Sequence, residues 1–157
     1  MLSIDIICVG KLKEKFFVDA VNEYKKRLGA YCKLNICELS EIAVKNDAEI
    51  QKALDSEGEV ISSKIPKDAY VIAMCVEGEN LSSEKLSEKI SGLAVQGKSK
   101  LCFLIGGSNG ISEKIKSAAN LRLSMSKMTF PHHLARVMVL EQIYRAFKIE
   151  EGSGYHK

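Results

Sequence analysis

The spacing in this chain that most suggests chemistry is a glycine-rich turn that follows an apolar run. The run is Leu101–Ile105, and the turn reads Gly106-Gly107-Ser108-Asn109-Gly110. Bare glycines let backbone N–H groups approach a ligand closely, so a strand, a glycine turn and a helix in succession suit a nucleotide-like ligand. The spacing is neither the dinucleotide fingerprint nor a phosphate-binding loop with its lysine. An ordinary strand-to-helix turn explains it equally well, and both interpretations stay open.

Length and composition predict one domain spanning residues 1–157, since 157 residues can bury a sizeable core and 46% of them are apolar. We expect no membrane span, because no apolar run reaches about 18 residues, and no signal peptide at the N-terminus. The five cysteines form no CxxC pair, which predicts reduced, buried thiols and a cytoplasmic protein. Three scattered histidines do not suggest a metal site.

Charge is distributed unevenly along the chain, although the net charge is only +3. Residues 11–33 carry seven basic side chains against three acidic ones, residues 38–59 carry seven acidic against two basic, and the part from Arg122 onward is basic again. Two basic segments that flank an acidic one could form a phosphate-facing surface. Solvated helix faces would produce the same pattern.

Hydrophobic periodicity predicts an α/β domain with a mainly parallel sheet. Strands are expected at 2–9, 34–39, 69–76, 101–105 and 121–125. Helices are expected at 13–28, 46–54, 82–93 and 112–120, with a last helix beginning at Pro131. Residues 77–80 are predicted to turn, 56–64 are ambiguous between helix and loop, and the tail from Glu150 is expected to be mobile. The last helix is apolar around more than half its circumference, which predicts a homodimer.

Several motifs in a fixed order carry a resemblance that periodicity alone does not. The chain resembles, over essentially its full length, the RlmH family of ribosomal large-subunit RNA methyltransferases of the SPOUT class. The matching segments are Gly10-Lys11-Leu12-Lys13-Glu14, Glu23-Tyr24-x-Lys26-Arg27-Leu28, Gly78-x-x-Leu81-Ser82-Ser83-Glu84, Ile105–Gly110, Ser126-Lys127-Met128-Thr129-Phe130-Pro131-His132 with Arg136, Glu141–Ile149, and Tyr155-His156-Lys157.

This resemblance implies a sheet with helices on both faces and a C-terminal trefoil knot, which chain connectivity rules alone would not propose. It implies a homodimer that uses S-adenosylmethionine to methylate N3 of a pseudouridine in 23S ribosomal RNA, within the ribosome. It also implies three cofactor-binding segments: the end of the third strand, the glycine turn and the loop after the fifth strand. In this sequence they are Met74; Gly106 and Gly107; and Met125, Ser126, Lys127, Met128, Thr129 and Phe130.

Within that reaction the pseudouridine N3–H must lose its proton, and an imidazole that titrates near neutral pH suits the task. His156 is therefore expected to be catalytic, with Tyr155 stacking on the base or bonding to it. The tail could close over the site when RNA binds, or serve the partner's pocket across a dimer. Arg136 is expected to contact RNA phosphate or the dimer partner. His132 and His133 could line the pocket or be structural.

The tail departs from the family's usual Arg-Gly-Glu-Pro-Tyr-His, since this chain has Glu151-Gly152-Ser153-Gly154 before Tyr155. That change predicts a looser and more acidic tail. Two alternatives remain beside the predicted function: a SPOUT methyltransferase acting on another RNA, and a non-catalytic ribosome-binding protein. A nicotinamide-binding domain is disfavoured, because Gly10-Lys11-Leu12-Lys13 replaces the fingerprint after the first strand.

Overall fold

Five strands and five helices alternate along the chain, and the computed structural model describes all 157 residues. The strands are β1 (Leu2–Val9), β2 (Cys32–Leu39), β3 (Tyr70–Asn80), β4 (Lys100–Ile105) and β5 (Leu121–Ser124). The helices are α1 (Lys15–Leu28), α2 (Ile50–Lys64), α3 (Ser83–Val95), α4 (Glu113–Ala118) and α5 (His132–Glu150), with a single 3-10 turn at Asp47–Glu49 before α2.

The strands form one sheet in the order β2-β1-β4-β3-β5, and every pair is parallel. Alternate residues of β1 face opposite sides, as a pleated strand requires. Ile4 and Ile6 join a core with α1, α3 and α5, whereas Ile7 and Val9 join a second core that includes Ile61 of α2 and Ile115 of α4. The predicted parallel α/β architecture with helices on both faces is confirmed.

Helix α2 resolves the ambiguous stretch 56–64 as helix, and it continues through Gly58. The glycine is explained by packing, because a Cβ at this position would lie 3.1 Å from both Ile115 Cγ1 and Ser112 Oγ at the start of α4. Two helices, α3 and α4, begin at a serine whose side chain caps the helix. Ser82 Oγ accepts from the Lys85 N–H at 3.1 Å, and Ser112 Oγ accepts from the Ile115 N–H at 3.3 Å.

The predicted turn at 77–80 was wrong, because β3 extends through these residues to Asn80. The strand pairs with β5 on both sides of an irregularity between Met74 and Glu79. Such a bulge lets a strand bend without losing its partner. Gly78 sits in the bulge against the β5 backbone, where a Cβ would lie 2.8 Å from the carbonyl carbons of Arg122 and Leu123. Glycine at this position therefore follows from strand packing.

The five cysteines are all free, and three are buried: Cys8, Cys32 and Cys102. Burial raises the pKa of Cys8 to about 12, so this thiol stays protonated and packs as an apolar group. No helix is both long enough and apolar enough to cross a membrane. No three His, Cys, Asp or Glu side chains are grouped as metal ligands would be.

We expect Gly78→Ala to destabilise the fold by about 1–3 kcal/mol, because the new methyl group must displace β5 backbone rather than a flexible side chain. Urea unfolding followed by circular dichroism measures the change. The matched control is Gly92→Ala in α3, where a Cβ meets nothing within 4 Å and the helix should gain roughly 0.5–1 kcal/mol. Equal unfolding midpoints for Gly78→Ala and the wild type would contradict this account of the bulge.

Candidate functional site

A cavity of about 760 Å³ opens at the carboxyl end of β4, beside residues 74–77 in the middle of β3. Its other walls are the turn after β4, the loop between β5 and α5, and the first turns of α5. The carboxyl edge of a parallel sheet is where α/β proteins bind ligands, and this volume suits a nucleoside-sized molecule. The topology therefore brings the glycine turn and the 125–131 loop to one place.

Most of the predicted cofactor-binding residues line this cavity together. Those that do are Met74, Gly106, Gly107, Met125, Ser126, Met128, Thr129 and Phe130. Lys127 is the exception, because it is exposed and does not line the cavity. The structure thus gathers three segments that are 32 and 18 positions apart in sequence, and it leaves the Lys127 side chain outside the cavity wall.

The glycine turn is shaped by contacts within the chain. A Cβ on Gly106 would lie 2.4 Å from the Gly110 carbonyl carbon, and one on Gly107 would lie 2.6 Å from Glu41 Oε1. Glu41 Oε1 also accepts the Ser108 N–H at 2.7 Å. This carboxylate occupies a backbone donor that a phosphate-binding turn would offer to its ligand. Contacts within the chain are therefore sufficient to require glycine at these two positions.

The loop after β5 is ordered by its own serines. Ser124 Oγ donates to the Ser126 carbonyl at 2.9 Å, and Ser126 Oγ accepts the Met128 N–H at 3.0 Å. These bonds hold Met125 and Phe130 at the cavity wall, partly buried. With Met74 they make an apolar surface of the kind that an aromatic ring such as adenine requires.

Two charged residues at the cavity rim were not predicted from the sequence. Lys116 of α4 and Glu77 of β3 both line the cavity and form an ion pair. The hydrogen bond from Lys116 is the main reason that the pKa of Glu77 lies below its usual range. Glu77 was hidden by the wrong turn prediction at 77–80. Nothing in the α4 pattern distinguished Lys116 from a solvated lysine.

Two adjacent histidines begin α5 beside the cavity. His132 lines it, and the His132 and His133 ring centroids are 4.1 Å apart. Both rings pack on Gly10, since a Cβ there would lie 3.1 Å from His132 Cε1 and 3.5 Å from His133 Nε2. His132 Nδ1 and His133 Nε2 are buried without a protein partner. Burial, then the neighbouring His132 and Arg136, lower the pKa of His133, which favours its neutral form.

Arg136 does not lie where RNA phosphate could reach it. Its side chain is 1% exposed and forms an ion pair with Glu38 at the end of β2. Arg136 Nη2 also donates to the Gly10 carbonyl at 3.0 Å, and Glu38 Oε2 accepts the Leu12 N–H at 3.0 Å. The prediction of an RNA contact therefore does not fit this geometry. Arg136 instead connects α5 to the ends of β1 and β2, beneath the cavity.

The tail makes hydrogen bonds to the rest of the chain, and its mobility stays a prediction. Glu151 accepts from the Tyr31 hydroxyl at 3.1 Å and pairs with Lys148, so the added acidic residue serves as an anchor. His156 Nδ1 accepts from Arg145 Nη1 at 3.1 Å, and its Nε2 donates to Glu84 Oε1 at 2.6 Å. Both imidazole nitrogens are thus engaged.

Tyr155 is held through Glu141, which joins three parts of the chain. Glu141 Oε2 accepts from Tyr24 of α1 at 2.7 Å and from Tyr155 at 2.9 Å, and Oε1 accepts from Arg145 Nε at 2.8 Å. Burial acts to raise the pKa of Glu141, but these hydrogen bonds outweigh it and leave the pKa below its usual range. Burial and the bond to Glu141 in turn raise the pKa of Tyr155.

Neither tail residue lines the cavity. Arg145, which holds His156, lies thirteen residues after His132 on the same helix, or about 20 Å along the helix axis. The structure therefore separates the predicted catalytic residues of one chain from the predicted cofactor-binding residues of the same chain.

Comparison with known proteins places this arrangement in a family. A family model described as "Predicted SPOUT methyltransferase" matches residues 2–156. The chain belongs to the SPOUT methyltransferase family. This family membership, with the full-length relatives below, confirms the resemblance that the motifs carried. The order of the motifs along the chain was therefore sufficient to recognise it.

Curated relatives match the SPOUT chain from end to end. "Ribosomal RNA large subunit methyltransferase H" of Clostridium botulinum (strain Alaska E43 / Type E3) is 50% identical over 159 aligned positions, covering 99% of this chain and 100% of that protein. The protein of the same name from Bacillus pumilus is 50% identical over 161 positions, with the same coverage. That from Clostridioides difficile is 46% identical over 159 positions, again with the same coverage.

One solved structure has a similar fold at much lower sequence identity. It is described as a "probable methylase family protein" from Haemophilus influenzae Rd KW20 and superposes with a TM-score of 0.59. It covers 100% of this chain and 72% of that one, at 16% identity. At that identity the likeness concerns the fold alone.

Replacing Arg136 by Met should destabilise this SPOUT chain by about 3 kcal/mol, because it leaves a partly buried carboxylate and the Gly10 carbonyl unpaired. Chemical denaturation at pH 7 measures the loss. The double variant Arg136→Met/Glu38→Leu should lose less than the sum of the single changes, since it leaves no unpaired charge. Additive losses would show that the pair is not coupled.

The pH dependence of the same pair has a definite sign. Burial acts to raise the pKa of Glu38, but the Leu12 N–H and Arg136 outweigh it and hold the pKa below its ordinary value of 4.5. A lowered carboxylate pKa contributes stability that is present above the unfolded pKa and lost as the pH falls through the folded pKa. The stability difference between wild type and Glu38→Gln should therefore be constant above about pH 5 and shrink below pH 4.5.

Proposed function

We propose that this protein transfers a methyl group from S-adenosylmethionine to N3 of a pseudouridine in large-subunit ribosomal RNA. The observation that carries the proposal is the cavity at the carboxyl edge of the sheet, in a chain about half identical to full-length relatives named as ribosomal RNA large subunit methyltransferases. The cavity has room for a nucleoside cofactor, and the relatives' names give the class of substrate.

The cavity residues fit such a cofactor. Met74, Met125 and Phe130 provide apolar walls for the adenine, and the Glu77–Lys116 pair provides polar groups at the rim. The volume of about 760 Å³ lies in the range of sites for ligands of this size. The cofactor, when bound, supplies an electrophilic methyl group on a sulfonium. The task of the chain is then to orient the acceptor nitrogen, since displacement at carbon needs in-line approach.

The proton on the acceptor nitrogen is the second requirement, and we assign its removal to His156, with Tyr155 positioning the base. In the docked tail, His156 accepts from Arg145 and donates to Glu84. It can take up a proton on Nδ1 only after it leaves Arg145. Release of the tail therefore precedes proton transfer in our proposal.

A homodimer brings the released tail to a cavity. The tail leaves its own chain about 20 Å from the cavity along α5, so we propose that it serves the cavity of the partner chain. Partly exposed side chains of α5, among them Val137, Met138 and Tyr144, offer an apolar surface for the partner. The proposal includes the C-terminal trefoil knot of the SPOUT class, the assembled ribosome as substrate, and a cytoplasmic location.

Phe130→Ala should weaken S-adenosylmethionine binding by about 10- to 100-fold, because the cofactor loses one apolar wall of its site. The free energy lost is comparable to that of burying one large apolar side chain. Isothermal titration calorimetry on the purified protein measures the affinity. Lys127→Ala is the matched control from the same loop, and it should bind as the wild type does, because Lys127 does not line the cavity. Equal affinity for Phe130→Ala and wild type would exclude this cavity as the cofactor site.

His156→Ala should abolish most methyl transfer and leave cofactor affinity unchanged, since His156 lies outside the cavity wall. General acid–base groups contribute about 10²- to 10⁴-fold in rate. Cells lacking the protein are complemented with wild type or His156→Ala, and large-subunit rRNA nucleosides are mapped by mass spectrometry. Wild type should restore one N3-methylpseudouridine and the variant should not. A methyl group restored in another RNA would redirect the substrate assignment, and none restored at all would remove the proposed activity.

A further inference from the structure

We propose that residues 11–16, which we call the lysine–phenylalanine segment, form an RNA-binding surface beside the cavity, with Phe16 stacking on a base and Lys11 and Lys13 contacting phosphates. The proposal rests on the proposed function, which makes the substrate an RNA, and it adds a part of the chain that contacts this RNA. No cavity-lining residue belongs to this segment, so it constitutes a separate contact.

The side chains of this segment are oriented outward. Phe16 is 66% exposed, and it is the one exposed phenylalanine among the five in the chain. Lys11, Lys13 and Lys15 are also exposed. Lys15 forms an ion pair with Asp19 at 2.6 Å, whereas Lys11 and Lys13 have no carboxylate within 4.0 Å. Two unpaired cations next to an exposed aromatic ring are the combination that binds single-stranded nucleic acid.

The backbone at the start of the segment is fixed. The Gly10 carbonyl accepts from Arg136, and the Leu12 N–H donates to Glu38, each at 3.0 Å. Arg136 and Glu38 are themselves paired. Lys11 lies between these two anchored residues and Lys13 directly follows them. A phosphate that binds these lysines therefore orders side chains but no backbone, which lowers the entropic cost of binding.

The segment is continuous with the cavity through aromatic contacts. The Phe16 and Phe17 ring centroids are 4.4 Å apart, and the Phe17 ring lies edge-on to His133 at 6.1 Å. His133 in turn contacts His132, which lines the cavity. An RNA strand whose target base enters the cavity would thus have a neighbouring base within reach of Phe16.

Charge favours RNA over a second copy of this chain as the occupant of this surface. Seven basic residues lie in 11–33 against three acidic ones, so two copies meeting here would oppose like charges. An RNA backbone is complementary to the lysines, and any base offers a face to the phenylalanine. A contact between copies is the competing outcome of the test.

The test measures binding of full-length protein to two probes: a fluorescein-labelled 20-nucleotide single-stranded RNA, and large ribosomal subunits from cells lacking the protein. Phe16→Ala should weaken binding by about 5- to 100-fold. Lys11→Gln/Lys13→Gln should weaken it and reduce the slope of log affinity against log salt by about 1.4. Two controls should bind as wild type does: Val95→Ala, also at an exposed apolar residue (86%), and Lys52→Gln on α2, across the sheet.

Wild-type affinity in both segment variants, or no binding of wild type to either probe, would overturn the proposal. Light scattering checks association, and a smaller mass for Phe16→Ala would assign Phe16 to a contact between copies and also overturn it. Phe16→Leu, which keeps the apolar volume without the ring, should bind as weakly as Phe16→Ala. Methyl incorporation by wild type is measured separately. If RNA binding depends on the segment but wild type transfers no methyl group, the proposed function is contradicted and the RNA-binding surface is still supported.

Discussion

The ion pair between Arg136 and Glu38 is the interaction on which the site depends. A buried guanidinium is costly unless its charge and its N–H donors find partners. Here Nη1 pairs with a carboxylate on β2 and Nη2 donates to the carbonyl that follows β1, while Nε has no partner. Because Arg136 lies on the second turn of α5, the pair fixes the start of that helix against the edge of the sheet. His132 is positioned at the cavity wall as a result.

The outline of the cavity is set in part by contacts inside the protein. Glu41 occupies the inner side of the turn at 106–110, and Gly106 packs on Gly110. The side of the turn that these contacts leave free faces the cavity. The cavity therefore combines a turn that is held by contacts within the chain with walls that include methionine and phenylalanine, and methionine side chains adapt readily to the shape of what they contact.

The sequence predicted the parallel α/β fold because buried parallel strands read as continuous apolar runs, as in β1 and β4. It missed the extension of β3, since Glu77 and Gly78 have the composition of a turn and their pairing with β5 depends on residues more than 40 positions away. The predicted cofactor-binding segments came from the family resemblance, and the structure places them around one cavity, with the Lys127 side chain outside its wall. The burial of Arg136 could not be predicted, because a charged residue on a helix is usually exposed.

The tail shows a related limit of local patterns. Two glycines and a nearby chain end predict mobility, yet Glu151, Tyr155 and His156 each have a partner on another element. All three partners are distant in sequence, so no window of neighbouring residues could reveal them.

The bulge in β3 has a consequence for how this chain can vary. Residues 75–78 lie between two stretches that are both paired with β5, so pairing on either side fixes both ends of the bulge. Substitutions at Cys75, Val76 or Glu77 change the size and polarity of the side chains at the cavity rim. A single inserted or deleted residue would instead move Gly78 away from the β5 backbone and turn the far end of the strand by one pleat. The β3 bulge therefore tolerates substitutions that change side-chain chemistry, but it does not tolerate insertions or deletions.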